Sequence, residues 1–423
     1  MKQKKNHANR NRRRSRNRNR QRLCRCIGLL AWTAFSYLSL LSYIPDEIYL
    51  SKEAGETPQF ATSLPVSVDF AEDAQPVFGA QRVAAAEEND GILSCRLFHL
   101  LPIKQVVVHY TDRKTVTAAG TNIGIYLKNS GVLVVECASF TDDSGALISP
   151  SAYRIKGGDI IRSVDGEPVE TKEDLMNAVA ESEGGRMILE VYRGGETIEV
   201  AVKPQMAADG KNKLGVWVRD DIAGIGTMTF VTKDGDYGAL GHGVSDIDTG
   251  ALVQIDTGDI YETKITGISK GKKGEPGEVS GLIQFRQSAY LGSVGENTGI
   301  GIFGKLEHLP ESLEGVEEIP VGYKQEIEQG RAQIICSVAG ARTSYDIEIE
   351  TVDYHPREEN KGIRYRVVDE RLLAETGGIV QGMSGSPILQ DGKLVGAVTH
   401  VLLNAPNKGY GILIENMLKA AES

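Results

Sequence analysis

Phenylalanine and tryptophan are scarce in this chain, with 9 Phe and 2 Trp among 423 residues against 48 Gly. That balance argues against a helical bundle and for a β-rich body with many tight turns. Cysteine is nearly as sparse. There are five, no two are spaced as CxxC, and neither a zinc site nor a disulfide scaffold is indicated. Cys24 and Cys26 read as apolar filler or acylation sites at the start of an apolar run. Cys95, Cys137 and Cys336 are odd in number and far apart, so the sequence selects no bridge among them. Acidic residues are absent from the first 25 positions, which hold twelve of the 47 Lys and Arg; beyond them 35 basic residues face 57 acidic ones.

An arginine-rich arm by itself suggests nucleic acid. The adjoining segment argues against that partner. Residues 23–44 (LCRCIGLLAWTAFSYLSLLSYI) carry one charge, Arg25, over about the length of a single membrane span. Basic residues 1–22 before it predict a cytoplasmic N-terminus, with the acidic bulk across the membrane. No small-residue cleavage site comes after the span, which favours a retained anchor over a removed signal. Residues 45–102, with Pro45, Pro58, Pro65 and Pro76, read as a stalk with a short strand or two near its end.

Between 103 and 204 the pattern tightens. IKQVVVHY, TNIGIYL and GVLVVECAS are strand-like runs, Asp165-Gly166 is a hairpin turn, and Thr171 with Asp174 makes a capping-box start for a helix with Leu175, Ala178 and Val179 on its apolar face. Two further strands meet at Arg193-Gly194-Gly195. The run GDIIRSVDGEPV, helix and hairpin resembles PDZ domains of bacterial proteases. The resemblance implies a groove that takes an extended peptide by strand addition, with Ile123, Gly124 and Ile125 as the receiving strand. Residues 210–423 are strand-rich, with short helical patterns at 370–376 and 414–421, as in an antiparallel barrel or sandwich.

Two glycine-flanked residues in this last part carry chemistry. His242 lies in GALGHG; a neutral imidazole is the natural general base near pH 7. Ser384 lies in GGIVQGMSGSPI, a Gly-x-Ser-Gly-x-Pro run similar to the nucleophile loop of chymotrypsin-like serine proteases. The likeness implies that the N–H groups of Gly382 and Ser384 converge on an oxyanion. A carboxylate should hold the imidazole. Asp246, Asp248, Asp353, Asp369 and Glu370 all qualify on local grounds, and Asp369 also reads as the N-cap of the helix at 370–376.

Anchor, PDZ-like unit, GALGHG and ETGGIVQGMSGSPI together resemble the stage IV sporulation protein B peptidases. The resemblance implies a mainly β serine endopeptidase, with base His242, acid Asp369, nucleophile Ser384 and no metal or cofactor. It also implies cleavage of a membrane-associated regulator of an intramembrane metalloprotease, allowing activation of a late sigma factor. Self-cleavage near the N-terminus and location between the forespore membranes come with it, and the chain's own N-terminal region is a further ligand for the PDZ-like groove. Two features depart from the chymotrypsin pattern: the acid precedes the serine by only fifteen residues, and Ser386 follows Gly385 where that pattern has glycine. The competing reading is a non-catalytic PDZ-containing scaffold at the membrane.

Overall fold

The computed structural model describes Arg25 and residues 27–28, 31–51, 66–70, 90–98 and 100–422. They form two units, divided at Lys114, with residues 353–355 belonging to the first. The basic arm 1–22, Cys24 and Cys26 lie outside the described residues.

The first unit contains a helix over residues 31–42 and strands β1 (Glu47–Ser51), β2 (Val66–Phe70), β3 (Asp90–Leu97) and β4 (Leu101–Thr111). β1 pairs in parallel with β4, and β4, β3 and β2 follow antiparallel. Alternate strand residues Leu93, Cys95, Val106 and Val108 bury one face, and Leu40 and Ile44 from the helix end pack into the same core. Within the expected stalk, residues 47–51, 66–70 and 90–97 are strands of a small sheet, where the sequence predicts only a short strand or two near its end; Pro58, Pro65 and Pro76 lie outside the described residues. The expected anchor over 23–44 is not supported either. No helix among the described residues is long and apolar enough to cross a membrane.

The second unit begins with β5 (Thr115–Cys137), a strand of 23 residues. β6 (Ile160–Val164), α1 (Lys172–Glu181), β7 (Met187–Arg193) and β8 (Glu196–Val202) complete the PDZ-like part. Then come β9 (Val216–Val231), β10 (Asp236–Ala239), β11 (Ile255–Ser269), β12 (Glu278–Ile283), β13 (Tyr290–Thr298) and β14 (Gly301–Leu306). β5, β9, β10, β14, β13 and β11 pair in that order, and β11 returns to β5, closing a six-stranded barrel around Ile123, Leu127, Met228, Tyr237 and Ile260. A second closed barrel joins β15 (Gly330–Cys336), β16 (Thr343–Val352), β17 (Ile363–Val367), β18 (Pro387–Gln390), β19 (Lys393–Leu402) and β20 (Ala405–Leu413), in the order β15, β16, β17, β20, β19, β18. Its core is Ile334, Ile347, Tyr365, Ile388 and Val398. Helix α2 (Glu370–Thr376) follows β17, and α3 (Ile414–Ala421) follows β20.

The local chemistry sets these elements. Thr171 and Asp174 make the reciprocal capping box that opens α1. Asp165-Gly166 and Asp391-Gly392 take the paired positive φ of two-residue hairpin turns. Gly377, at φ 73°, stops α2.

One arrangement differs from the order expected of the sequence. The PDZ-like part does not precede the barrels; it is inserted into the first of them. β5 and β9 run side by side as an antiparallel ribbon, from Thr117 opposite Val231 in the barrel to Cys137 opposite Val216 in the PDZ-like part. This corrects the assignment of Ile123, Gly124 and Ile125 to a peptide-receiving edge. They pair with residues 224–226 of β9 on one side and with residues 260–262 of β11 on the other, so no ladder position is open. Ile123 and Ile125 are buried, and a Cβ on Gly124 would stand 2.6 Å from Ile283. β-Branched alternation looks the same in a barrel wall and at a groove edge, and one unbroken strand passes through both.

Candidate active site

β10 ends in the first barrel at Ala239, and the chain turns through Leu240 (φ 70°) and Gly241 (φ 68°). A left-handed leucine costs roughly 1–2 kcal/mol. It is held there by burial of its side chain, which lies against Gly226. The glycines around His242 have separate reasons. A Cβ on Gly241 would meet Thr399 at 2.8 Å, and one on Gly243 would meet the Thr298 carbonyl at 2.4 Å. The turn delivers His242 into a cleft of about 430 Å³ whose lining includes Ser384 from the second barrel.

Nδ1 of His242 lies 2.9 Å from the Gly243 carbonyl oxygen. A carbonyl only accepts, so Nδ1 carries the proton and Nε2 keeps its lone pair for use as a base. Burial pushes the imidazole pKa below its ordinary value, with the Gly243 carbonyl acting in the opposite sense.

Ser384 sits between α2 and β18 on a loop that only glycine permits. Gly382 has φ 97° and Gly385 φ 94°. The loop is fixed to the first barrel through β9. Thr227 donates its N–H to the Ser384 carbonyl (3.1 Å) and its hydroxyl to the Gly382 carbonyl (2.7 Å), and the Thr229 hydroxyl reaches the Gly385 carbonyl (2.8 Å). The N–H groups of Met383 and Gly385 donate to Val380 and Val398. Among the described residues no carbonyl takes the N–H of Gly382 or Ser384, the two groups suited to an oxyanion. The Ser384 hydroxyl itself donates to the Thr399 carbonyl at 3.0 Å, so attack requires it to rotate toward the imidazole.

The structure brings His242, Gly382 and Ser384 to one cleft and leaves Asp369 out of its lining. Asp369 caps α2. Its carboxylate accepts from the N–H groups of Arg371 and Asp346 and from the Arg371 guanidinium at 2.7 and 3.0 Å. Arg371 holds its pKa down to about 2, aided by those backbone donors and opposed by burial. Asp246 and Asp248 are paired with Arg219. In the geometry seen here the group that holds the imidazole is a backbone carbonyl. Cys95, Cys137 and Cys336 are free thiols, and burial pushes Cys95 and Cys336 up to about 12.

Asp369 accordingly gives a stability prediction. Its depressed pKa contributes stability that is present above about pH 4 and lost as pH falls toward 2. A carboxyl held from its ordinary value down to about 2 corresponds to roughly 2.5 kcal/mol; Arg371 is 66% exposed, so screening lowers the expected loss to roughly 1–2 kcal/mol. Asp369→Asn should lower the stability read from urea unfolding at pH 7 by that amount, and the difference from the parent should shrink below pH 4.

His400 joins the site without any signal in the sequence. It ends the buried run of β19, next to Thr399, and lines the same cleft with its ring centroid 5.5 Å from that of His242. Burial, with His242 and Lys361 nearby, brings it down to about 4, so it is neutral near pH 7. A histidine at the end of an apolar strand carries no local mark of such a place.

A family model for SpoIVB peptidase S55 matches residues 210–418, and a PDZ domain model matches residues 122–203. The chain belongs to the SpoIVB peptidase family. It is a serine peptidase family, and this member carries a PDZ domain. A curated protein of Xylella fastidiosa named "Putative zinc metalloprotease" is 24% identical over 228 residues, 52% of this chain and 46% of that protein. The chain thus spans about half the length of that relative. Among solved structures, the active form of the Rv3671c protease of M. tuberculosis is 14% identical, with TM-score 0.28 over 47% of this chain and 74% of that one. The HtrA-type protease AlgW with a decapeptide is 10% identical, with TM-score 0.29 over 73% of this chain and 65% of that one.

Proposed function

We propose that this SpoIVB peptidase hydrolyses peptide bonds through Ser384, with His242 as general base. The observation that carries the reading is that one cleft, between two closed barrels, holds a histidine with Nε2 available and a glycine-flanked serine beside two free N–H groups. The Ser384 hydroxyl turns from the Thr399 carbonyl, gives its proton to Nε2, and attacks the scissile carbonyl. The Gly243 carbonyl steadies the imidazolium, and the N–H groups of Gly382 and Ser384 take the oxyanion, each worth about 3–4 kcal/mol. The protonated His242 then supplies the leaving amine, and water releases the acyl group. Ile222, Ile225, Val380 and Val401 line the cleft and suit apolar side chains beside the scissile bond.

The physiological role belongs to the same proposal. The substrate is a membrane-associated regulator of an intramembrane metalloprotease, and its cleavage passes a forespore signal that allows activation of a late sigma factor. Family membership supports this. Attachment through residues 23–44, with a cytoplasmic N-terminus and the bulk outside, rests on the charge and hydropathy pattern of the sequence alone. Self-cleavage near the N-terminus offers a direct test. The purified full chain should shorten with time, read by mass and N-terminal sequencing, and the Ser384→Ala chain should stay intact. Equal shortening of both would remove Ser384 from the reaction.

A further inference from the structure

The groove of the PDZ-like part is occupied by the chain itself. Residues 133–137 of β5 share a core cluster with α1 through Val134, Leu175 and Val179, and the first residues of β9 pair along that stretch of β5 while touching α1. Val216 pairs with Cys137, Trp217 with Glu136, Val218 with Val134 and Arg219 with Leu133, all antiparallel. Val216 and Val218 pack against the cluster that contains Leu175 and Val179 of α1, while Trp217 between them is exposed. That alternation is how an added peptide strand places every second side chain in a PDZ groove. Both ends are pinned. The Ala138 N–H donates to the Gly215 carbonyl at 2.8 Å. Asn129 donates its side-chain N–H to the Arg219 carbonyl at 3.3 Å, and Asp220 accepts from the Lys172 N–H at 2.9 Å and pairs with its ammonium at 3.3 Å. Arg219 is clamped by the fully buried Asp246.

We propose that residues 216–219 are the resident ligand of this groove, and that an extended peptide binds there only by exchange with them. The incoming peptide would present apolar side chains at alternate positions and a carboxylate for Lys172. An intramolecular strand competes at an effective concentration of about millimolar order, so the groove should bind free peptide weakly until the strand is released. The inference rests on the PDZ-like geometry and not on hydrolysis, so it stands or falls apart from the role of Ser384.

The test uses the full chain carrying Ser384→Ala, which cannot cut the probe by the proposed route. The probe is a fluorescein-labelled synthetic peptide LGVWVRDDI, copying residues 214–222. Adding Val216→Asp and Val218→Asp to the chain should tighten peptide binding at least tenfold by anisotropy. Equal affinity for both chains, or binding by neither, would overturn the proposal. Should the double variant not fold, hydrogen exchange on the parent decides. Saturating peptide should cost the amides of residues 216–219 at least tenfold of their protection. Bound peptide with those amides still protected would place it elsewhere and overturn the proposal.

Discussion

Ser384→Ala should lower kcat/KM on an unfolded protein substrate by about 10⁵ while leaving the fold intact. The size reflects loss of the nucleophile: substrate binding and the oxyanion donors remain, and they sustain only a small residual rate. The fold should survive because the hydroxyl donates one hydrogen bond, to the Thr399 carbonyl. Its loss costs about 1 kcal/mol. The loop is held instead by main-chain carbonyls that Thr227 and Thr229 engage. His242→Ala should cost a similar factor, and the double variant little more than either, because the two residues act in one proton transfer. A near-additive double variant would mean that they work separately.

Gly385→Ala should have the largest effect on stability. The backbone there is left-handed, at φ 94°, which an L side chain resists by roughly 1–2 kcal/mol. Space decides the rest. A Cβ would stand 2.0 Å from the Thr227 carbonyl oxygen and 2.5 Å from the Leu240 nitrogen, both main-chain atoms of the first barrel. Neither can rotate away. The substitution should cost more than about 4 kcal/mol, within the range of severe core disruption, and should abolish activity by moving Ser384. Gly392→Ala is the control. Its φ is 74°, but its Cβ would meet nothing within 4 Å, so the conformational penalty of roughly 1 kcal/mol is all that is expected. Thermal unfolding of both variants separates conformation from collision.

Much of this arrangement is legible in the sequence where the determinant is local. The capping box at Thr171, the Asp-Gly hairpins and the stop at Gly377 each depend on a few adjacent residues, and each lies where those residues require. Two glycines around one serine are enough to mark the tight loop that brings Ser384 to the cleft. The hidden features are set by pairing between distant strands. Nothing in TNIGIYL shows that β9 and β11 flank it, and nothing in GVWVRDD shows that it pairs with a stretch of β5 some eighty residues earlier. Asp369 stands outside the lining of the cleft and is paired with Arg371, two positions away; the cap is legible, and the ion pair that occupies its second oxygen is not. His400 reaches His242 only because a strand of the second barrel and a turn of the first line one cleft.

The measurement that bears most directly on the account is fluorophosphonate labelling of the full chain across pH, with mass mapping of the label. Ser384 activated by His242 predicts label on Ser384, lost in His242→Ala, with a rate that rises through an apparent pKa below 6.5 and is flat above it, because burial holds the imidazole neutral into mildly acid solution. Label on another residue, or an undiminished rate in His242→Ala, would contradict the claim that these two barrels assemble one hydrolytic site.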